Sequence, residues 1–423
     1  MANSHREMSL ANLLADGLFL DGDWVESKDQ DPNGDVRLIQ LADIGDGTFR
    51  NRSRRFLTSK RANEMGCTFL EVGDILVARM PEPLGRACIF PGVGQPAVTA
   101  VDICIARPNP VRASPTWLMR AINSPQFRDA MQAHIRGTTR QRISRRNLGT
   151  LTLPVPGIKE QQALVQHLDL LDLPRTSAKE HLSVARQALE RFRQSVLGAA
   201  CAGRLTADWR TSLGRIDGDV PTNWRDVTLK EIGQWSTGGT PSRKVPHYFG
   251  GSFPWVKSGD LRDGLVRSTE ESLTQAGLDN SSAKLLPAGT VSVALYGATI
   301  GRVGILDIQA ATNQACANCV PDESQIDRWF LLYFLLSERQ ALIAAGQGGA
   351  QPNLTNQIVK DWPARLPPLD EQREIVSRVE DLLARSESIG LKIVYVARRL
   401  DRASQAVSSQ AFTAHSARVA ANE

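Results

Sequence analysis

The chain lacks the means to be a disulfide-stapled protein. Its 423 residues include six cysteines (Cys67, Cys88, Cys104, Cys201, Cys316 and Cys319), scattered without the paired spacing of a secreted scaffold, so they read as reduced thiols of a cytosolic protein. The lone C-x-x-C at Cys316–Cys319 has neither a second pair nor a nearby histidine, so two core or loop thiols explain it better than a zinc site. Long hydrophobic runs are also missing. No stretch approaches the ~18 apolar residues of a membrane span, and the N-terminus has no apolar segment after a basic start. The expectation is a cytoplasmic protein that is neither secreted nor inserted in a membrane.

Catalytic signatures are equally scarce. There is no Gly-x-x-x-x-Gly-Lys-Ser/Thr to cradle a nucleotide phosphate. H-E-x-x-H and G-x-S-x-G are absent, and so is the Asn-Pro-Pro-Tyr/Phe type of motif that adenine methyltransferases use. The six histidines (His5, His134, His167, His181, His247 and His415) show no metal-ligand spacing. The net charge of +5 and pI of about 9.0 permit a polyanionic partner but do not require one. These absences fit a protein that binds rather than catalyses, with no metal or cofactor of its own.

What the chain does have is one pattern written twice. Gly137-Thr138-Thr139-Arg140-Gln141-Arg142-Ile143-Ser144, then Leu153-Pro154-Val155-Pro156-Gly157-Ile158-Lys159-Glu160-Gln161, leads into a long helical tract. Gly348-Gly349-Ala350-Gln351-Pro352-Asn353-Leu354-Thr355, then Leu366-Pro367-Pro368-Leu369-Asp370-Glu371-Gln372, does the same. Glu160 and Glu371 are 211 residues apart (371 − 160), about half the chain, so the repeat is a whole domain rather than a solenoid unit of roughly 20–50 residues. Upstream, Leu70–Arg79 aligns with Leu286–Leu295 and Gly85-Arg86 with Gly301-Arg302, while Asp43 and Gly47 align with Asp260 and Gly264. The offset drifts in this globular part, as loop insertions require, and holds at 211 in the helical part.

Strand-like runs in the first copy are Val36–Leu41, Asp74–Val77, Ala87–Phe90 and Val101–Ile105, with helical spacing over Ser114–Ala133. The second copy offers Trp255–Lys257, Thr290–Leu295 and Val303–Leu306, then a helix around Asp327–Ala344. Two helical tracts alternate steps of four and three residues. One carries Leu164, Leu168, Leu171, Arg175, Ala178, Leu182, Ala185, Leu189, Phe192, Val196 and Ala199. The other carries Ile375, Val379, Leu382, Ser386, Ile389, Ile393, Val396, Leu400, Ala403 and Val407. Such steps make the seam of a left-handed coiled coil, and each tract supplies a long partner for the other. Pro174 removes a helical hydrogen bond, which predicts a kink or break near 172–175. Two equal units joined in tandem pair their helices most simply about a pseudo-two-fold, hence antiparallel. The expected fold class is α+β: two strand-rich globular domains separated by two long helices pairing as an antiparallel coiled coil. The expected boundaries are 1–156, helix 157–203, a polar linker 204–221, 222–368 and helix 369–415. From Leu164 to Ala199 a helix measures about 54 Å at ~1.5 Å per residue, which spans about 16 base pairs at ~3.4 Å each.

This organisation resembles the specificity (S) subunit of type I restriction-modification enzymes over nearly the whole chain. The segments that carry the likeness are Pro367–Val376, Phe192–Thr206 and Gly238-Gly239-Thr240-Pro241-Ser242. Asp21–Asp29 and Arg37–Gly45 resemble a family variant of the first domain's start. The resemblance implies two target recognition domains, each reading one half of a split, asymmetric double-stranded DNA sequence. It implies spacer helices that set the separation of the half-sites and help dock two methyltransferase (M) subunits, joined by restriction/motor (R) subunits. S-adenosylmethionine, ATP and magnesium are then expected on those partners, and none on this chain. The first copy departs from the pattern in lacking a Gly-Gly-Thr-Pro-Ser counterpart.

Candidate DNA contacts follow from residue chemistry, since arginine grips phosphate or reads guanine. Arg140, Gln141, Arg142, Arg145 and Arg146 cluster just before the first long helix. Arg50, Arg52, Arg54, Arg55, Lys60 and Arg61 line an early loop, and Arg86 follows the repeated glycine. In the second copy, Arg243, Lys244, His247 and Tyr248 follow a glycine-rich turn that suits close approach to a DNA backbone. Lys257, Tyr296, Arg302, Gln351 and Asn353 complete the set. The competing readings are a helical scaffold or adaptor that reads no DNA and a self-contained metal-dependent nuclease.

Overall fold

The computed structural model describes residues 6–81, 84–134, 141–215, 221, 223–346 and 353–420, so Arg140 and Gln351 lie outside the described residues. The chain divides into two compact units, Met1–Leu182 with Tyr395–Glu423, and Ser183–Val394.

In the first unit, strand Arg6–Ser9 pairs antiparallel with Thr152–Val155. A four-stranded sheet runs in the order Leu18–Asp21, Ile103–Arg107, Ile75–Ala78, Ala87–Ile89. A three-stranded sheet runs Arg55–Leu57, Val36–Ile39, Ala97–Thr99, with its last pair parallel. Val36–Ile39 and Ile75–Ala78 are buried at every position, which is why they read as continuous runs rather than alternating ones.

The second unit repeats this plan strand for strand. Arg225–Thr228 pairs with Pro363–Leu366. The larger sheet runs Gly233–Thr237, Cys316–Pro321, Val291–Ala294, Val303–Leu306, with Gly264–Val266 added at the edge. The smaller runs Glu271–Leu273, Phe249–Val256, Ala311–Thr312, again with a parallel last pair.

One expected helix is split. Ser114–Ala133 forms two helices, Pro115–Ile122 and Pro125–Gln132, and the Ser124 hydroxyl caps the second by accepting from Phe127 N at 3.3 Å. Pro125 cannot continue the first helix. The counterpart in the second unit, Arg328–Ala345, contains no proline and runs unbroken, burying Phe330–Leu335.

The long helices are Ile158–Cys201, 44 residues, and Leu369–Ala420, 52 residues, or about 66 and 78 Å at ~1.5 Å per residue. Of the kink or break expected near 172–175, the break is absent: the first helix is continuous through Pro174. Thr176 Oγ1 donates to the Asp172 carbonyl at 3.0 Å there, and Arg120 ties Asp169 and Asp172 to the globular domain. The helices pair antiparallel inside each unit. In the first, Arg175 donates to Ser404 and Lys179 pairs with Asp401 at 2.6 Å. In the second, Arg193 Nε donates to Ser386 Oγ at 2.8 Å, and a Cβ at Gly390 would stand 3.4 Å from Leu189 Cδ2.

The facing rows correct the expected seam. Leu168, Val196, Ile375 and Val379 are buried, and Leu164, Leu182, Leu189, Leu382, Ile393 and Leu400 are half-buried. Leu171, Phe192, Ile389, Val396 and Val407, however, are 44, 42, 49, 42 and 37 % exposed. The places of the first four are taken by Asp172, Arg193, Gly390 and Ala397, each half-buried. A straight helix drifts about 20° per heptad against a 3.5-residue repeat. That drift is the sense of the one-residue displacement at these positions, although Leu182, Leu189, Ile393 and Leu400 keep the expected row.

The expected polar linker is also folded. Arg204–Thr206 and Ala207–Ser212 are helical and pack on the start of the second long helix. Arg378 donates to Leu205 O at 2.9 Å and pairs with Asp208 at 2.6 Å.

Candidate nucleic-acid interface

Each globular domain is fastened to its long helix by one glutamine. Gln161 Nε2 donates to Pro156 O and Arg112 O, both at 2.9 Å, and its Oε1 accepts from Ser114 N at 2.8 Å. Gln372 Nε2 donates to Pro367 O at 2.8 Å and Gln325 O at 2.9 Å, and its Oε1 accepts from Asp327 N at 2.7 Å. Both glutamines are fully buried. A second duplicated grip joins helix to loop, with Arg128 on Asp46 at 2.7 Å and Arg339 on Asp263 at 2.5 Å. Neither pair of grips was picked out from sequence, although the repeated Glu-Gln was visible there.

On this frame the basic loop of the first unit is strung on one buried carboxylate. Asp43 accepts from Gln40 N at 2.8 Å, Arg52 N at 2.6 Å and Ser53 N at 2.7 Å, and from the Ser53 hydroxyl. Asn51 takes a left-handed φ of 48° between them. Its side-chain oxygen accepts from Arg37, itself stacked on Phe56 at 5.3 Å, and from Arg54. The loop backbone is therefore rigid, while the side chains of Arg50, Arg52, Arg54, Arg55 and Lys60 stand exposed. Arg61 is turned aside, paired with Asp29 at 2.7 Å and Glu64 at 3.3 Å.

Arg86 does not reach the surface. It is 5 % exposed, and its guanidinium donates to Ile44 O, Met80 O and Leu41 O. Burial pushes its pKa down. The placement gives it a structural job, bracing the loop around Asp43. Its repeat partner Arg302 is exposed, although Gly85 and Gly301 before them share a left-handed φ of 73° and 74°.

The cluster before the first helix also divides. Arg145 turns inward to Asp21 at 3.3 Å and Phe19 O at 2.8 Å, over the Phe19 ring. Gln141, Arg142 and Arg146 point outward and are exposed. Ser144 caps the short helix Arg145–Thr150 by accepting from Asn147 N at 3.1 Å.

In the second unit the glycine-rich turn serves packing. A Cβ at Gly238 would stand 2.2 Å from Asn313 O, and one at Gly239 would stand 2.2 Å from Ala283 N. These glycines let loops of the same domain cross closely. Arg243 lies over Phe249 and Trp255 and pairs with Glu271 at 2.6 Å, while Lys257 pairs with Glu271 at 2.9 Å and Glu270 at 3.3 Å. Hydrogen bonds from Arg243 and then Lys257 hold the Glu271 carboxyl below its ordinary range. Lys244, His247 and Asn353 are exposed, and Tyr248 is half-buried with its ring against His247 at 4.8 Å.

Tyr296, 36 % exposed, belongs to a polar group that sequence reading missed. It hydrogen-bonds with Gln314, whose Oε1 accepts from Thr240. The available signal was the polar Asn313-Gln314 directly after a strand. The first unit has Ala100 and Val101 at the corresponding strand end, so the two surfaces differ in chemistry while sharing a scaffold.

The described residues contain no group of three or more side chains able to hold a metal ion. Cys316 and Cys319 are buried, and burial pushes both thiols up to about 12, far from nucleophilic thiolates. No helix among the described residues is long and apolar enough to cross a membrane.

Residues 221–393 match the family model of the type I restriction modification DNA specificity domain. Residues 221–393 thus carry a type I specificity domain, and a likeness to type I specificity subunits extends over most of the chain. The chain is similar to the EcoBI specificity subunit of Escherichia coli, 29 % identical over 308 residues, 68 % of this chain and 63 % of that one. It is similar to the EcoR124I/EcoR124II specificity subunit of Escherichia coli at 29 % identity over 41 % of this chain and 44 % of that one. Each match spans less than two thirds of the relative. A solved chain from work on the assembly and conformational transition of a type I R-M system superposes with a TM-score of 0.72. It covers 97 % of both chains at 19 % identity, a likeness of fold.

Proposed function

We propose that this specificity subunit reads a bipartite, asymmetric DNA target in the cytoplasm, one half-site per globular domain. The reading assigns 1–156 and 222–368 to target recognition, with helices 157–203 and 369–415 as the spacer. The observation that carries it is the duplicated scaffold with divergent surfaces: one strand plan, one glutamine clamp and one arginine–aspartate grip in both units, beneath different exposed side chains. The first reader presents Arg50, Arg52, Arg54, Arg55, Lys60, Arg142 and Arg146. The second presents Lys244, His247, Arg302, Asn353 and the Tyr296–Gln314–Thr240 group, in which glutamine suits an adenine edge. Arg86, Arg145 and Arg61 support these loops. Catalysis then belongs to partner methyltransferase and restriction subunits. The exposed apolar residues on the long helices, Leu170 and Leu173 in the first unit and Leu391 in the second, are the separate surfaces we assign to docking two M subunits.

The test is footprinting of the subunit, assembled with its M subunits, on a library of split sites. The expected result is protection of two short sequences at one fixed gap. Equal affinity for scrambled duplexes would instead favour an adaptor that reads no DNA. Inserting four residues into both helices should lengthen the preferred gap, and an unchanged gap would remove the ruler from the proposal.

A further inference from the structure

Beside the Lys179–Asp401 ion pair, two polar contacts between the long helices are related by the repeat. Arg175 and Ser386 are 211 residues apart, and so are Arg193 and Ser404. Arg175 donates to Ser404, and Arg193 donates to Ser386 at 2.8 Å. Each contact lies within one compact unit. In both, the first helix gives the arginine and the second gives the serine. Each arginine is also steadied by an acid three residues before it, Asp172 at 2.7 Å and Glu190 at 3.5 Å. Ser386 is 1 % exposed, so its layer is well inside the packing.

We infer that these two arginine–serine layers are a key that fixes both the register and the partner of the first long helix. Register follows from spacing, since the layers are 18 residues apart on both helices (193 − 175 and 404 − 386). Sliding one helix by a heptad would set Arg175 against Ala397 and Arg193 against Val379. Each guanidinium would then keep its acid on the same helix but exchange its hydroxyl for an apolar side chain, leaving part of its hydrogen-bonding capacity unmet. Partner choice follows from the repeat. If two first helices paired in this register, as in two copies of the chain exchanging them, Arg175 would face Arg193 in both layers. Like charges held together in a half-buried seam repel. Two second helices would only place Ser386 against Ser404. The first helix therefore fits a partner with a small hydroxyl at both positions, which within this chain is the second helix. The use of polar residues at a helical seam to set register and partner is well grounded physically.

Three variants of the full chain reproduce the three pairings, with thermal unfolding followed by the helical circular dichroism signal. Ser386→Arg with Ser404→Arg imitates first helix against first helix, and its midpoint should fall by roughly 5 °C. Arg175→Ser with Arg193→Ser imitates second against second and should fall by less than half as much. The fourfold exchange, which moves both arginines to the second helix, should recover at least half of the loss. A chain carrying four arginines that melts like the native one overturns the inference. So does a fourfold exchange as unstable as the four-arginine chain, or a four-serine chain that falls as far.

Discussion

The two units share a skeleton yet differ at the join between globular domain and helix. Gln161 and Gln372 make equivalent bonds, but the glutamates beside them do not sit alike. Glu371 is fully buried and accepts from Thr206 Oγ1 at 2.8 Å, Trp224 Nε1 at 3.0 Å and Arg210. Glu160 is half-buried and accepts from Gly157 N at 3.3 Å. The difference has a topological cause. The chain leaving the first helix must turn into the second domain, and its Arg204–Ser212 segment folds back onto the second helix's start. The duplicated glutamine therefore belongs to the domain itself, whereas the buried glutamate belongs to the junction between copies.

The largest test of this contrast removes a charge from the junction. Arg210 and Glu371 are 4 and 0 % exposed. Breaking a buried pair on one side leaves an uncompensated charge, typically at a cost of about 3–5 kcal/mol, so Arg210→Ala should destabilise the second unit by about that much. Glu160→Ala, at a half-buried carboxylate, should cost less than that. Denaturant unfolding with a probe in each unit would measure both, and equal losses would erase the asymmetry. The glutamines give the complementary test. Gln161→Ala and Gln372→Ala each leave buried backbone groups unsatisfied, at about 1–3 kcal/mol. The two losses should agree to within about 1 kcal/mol, each appearing in its own unit.

How much of this was legible in the sequence depends on whether a pattern is local. The duplicated Val/Leu-Pro-x-x-x-Glu-Gln, the apolar strands and the long helices are local signals, and they located both domains. The seam was readable at Leu168, Val196, Ile375 and Val379, where helix ends pack into globular cores, and failed at Leu171, Phe192, Ile389 and Val396, which have no globular core beneath them. Arginine was the least legible residue type. Arg86, Arg145 and Arg243 looked like phosphate ligands, but their partners (the carbonyls of Leu41 and Ile44, Asp21, Glu271) lie 28–124 residues away. No window of sequence brings such groups together. Gln314 escaped because one glutamine after a strand carries no pattern until Thr240 and Tyr296 are folded against it.

The exposed arginines of the first unit can be set against the neutralised ones of the second. Arg142→Ala with Arg146→Ala should weaken binding to all duplexes alike and lower the salt dependence of the affinity by a slope of about 1 for each phosphate no longer gripped. Titration of a non-specific duplex across salt concentrations would measure this, and an unchanged slope would take both residues off the interface.

Glu271→Gln gives the smallest effect and moves the other way. Arg243 and Lys257 share that carboxylate, which neutralises part of their charge. Hydrogen bonds from Arg243 and Lys257 hold Glu271 below its ordinary pKa, so the pairing is present above the usual glutamate range and is lost only as pH falls beneath it. At neutral pH the carboxylate stays charged, and only substitution releases the two cations. Glutamine keeps the shape and removes the charge, so non-specific affinity should rise and the salt slope should steepen by at most about 1. A fall in affinity would mean that Glu271 holds Arg243 in the orientation binding requires, which would make this arginine a reader rather than a spectator stacked on Phe249 and Trp255.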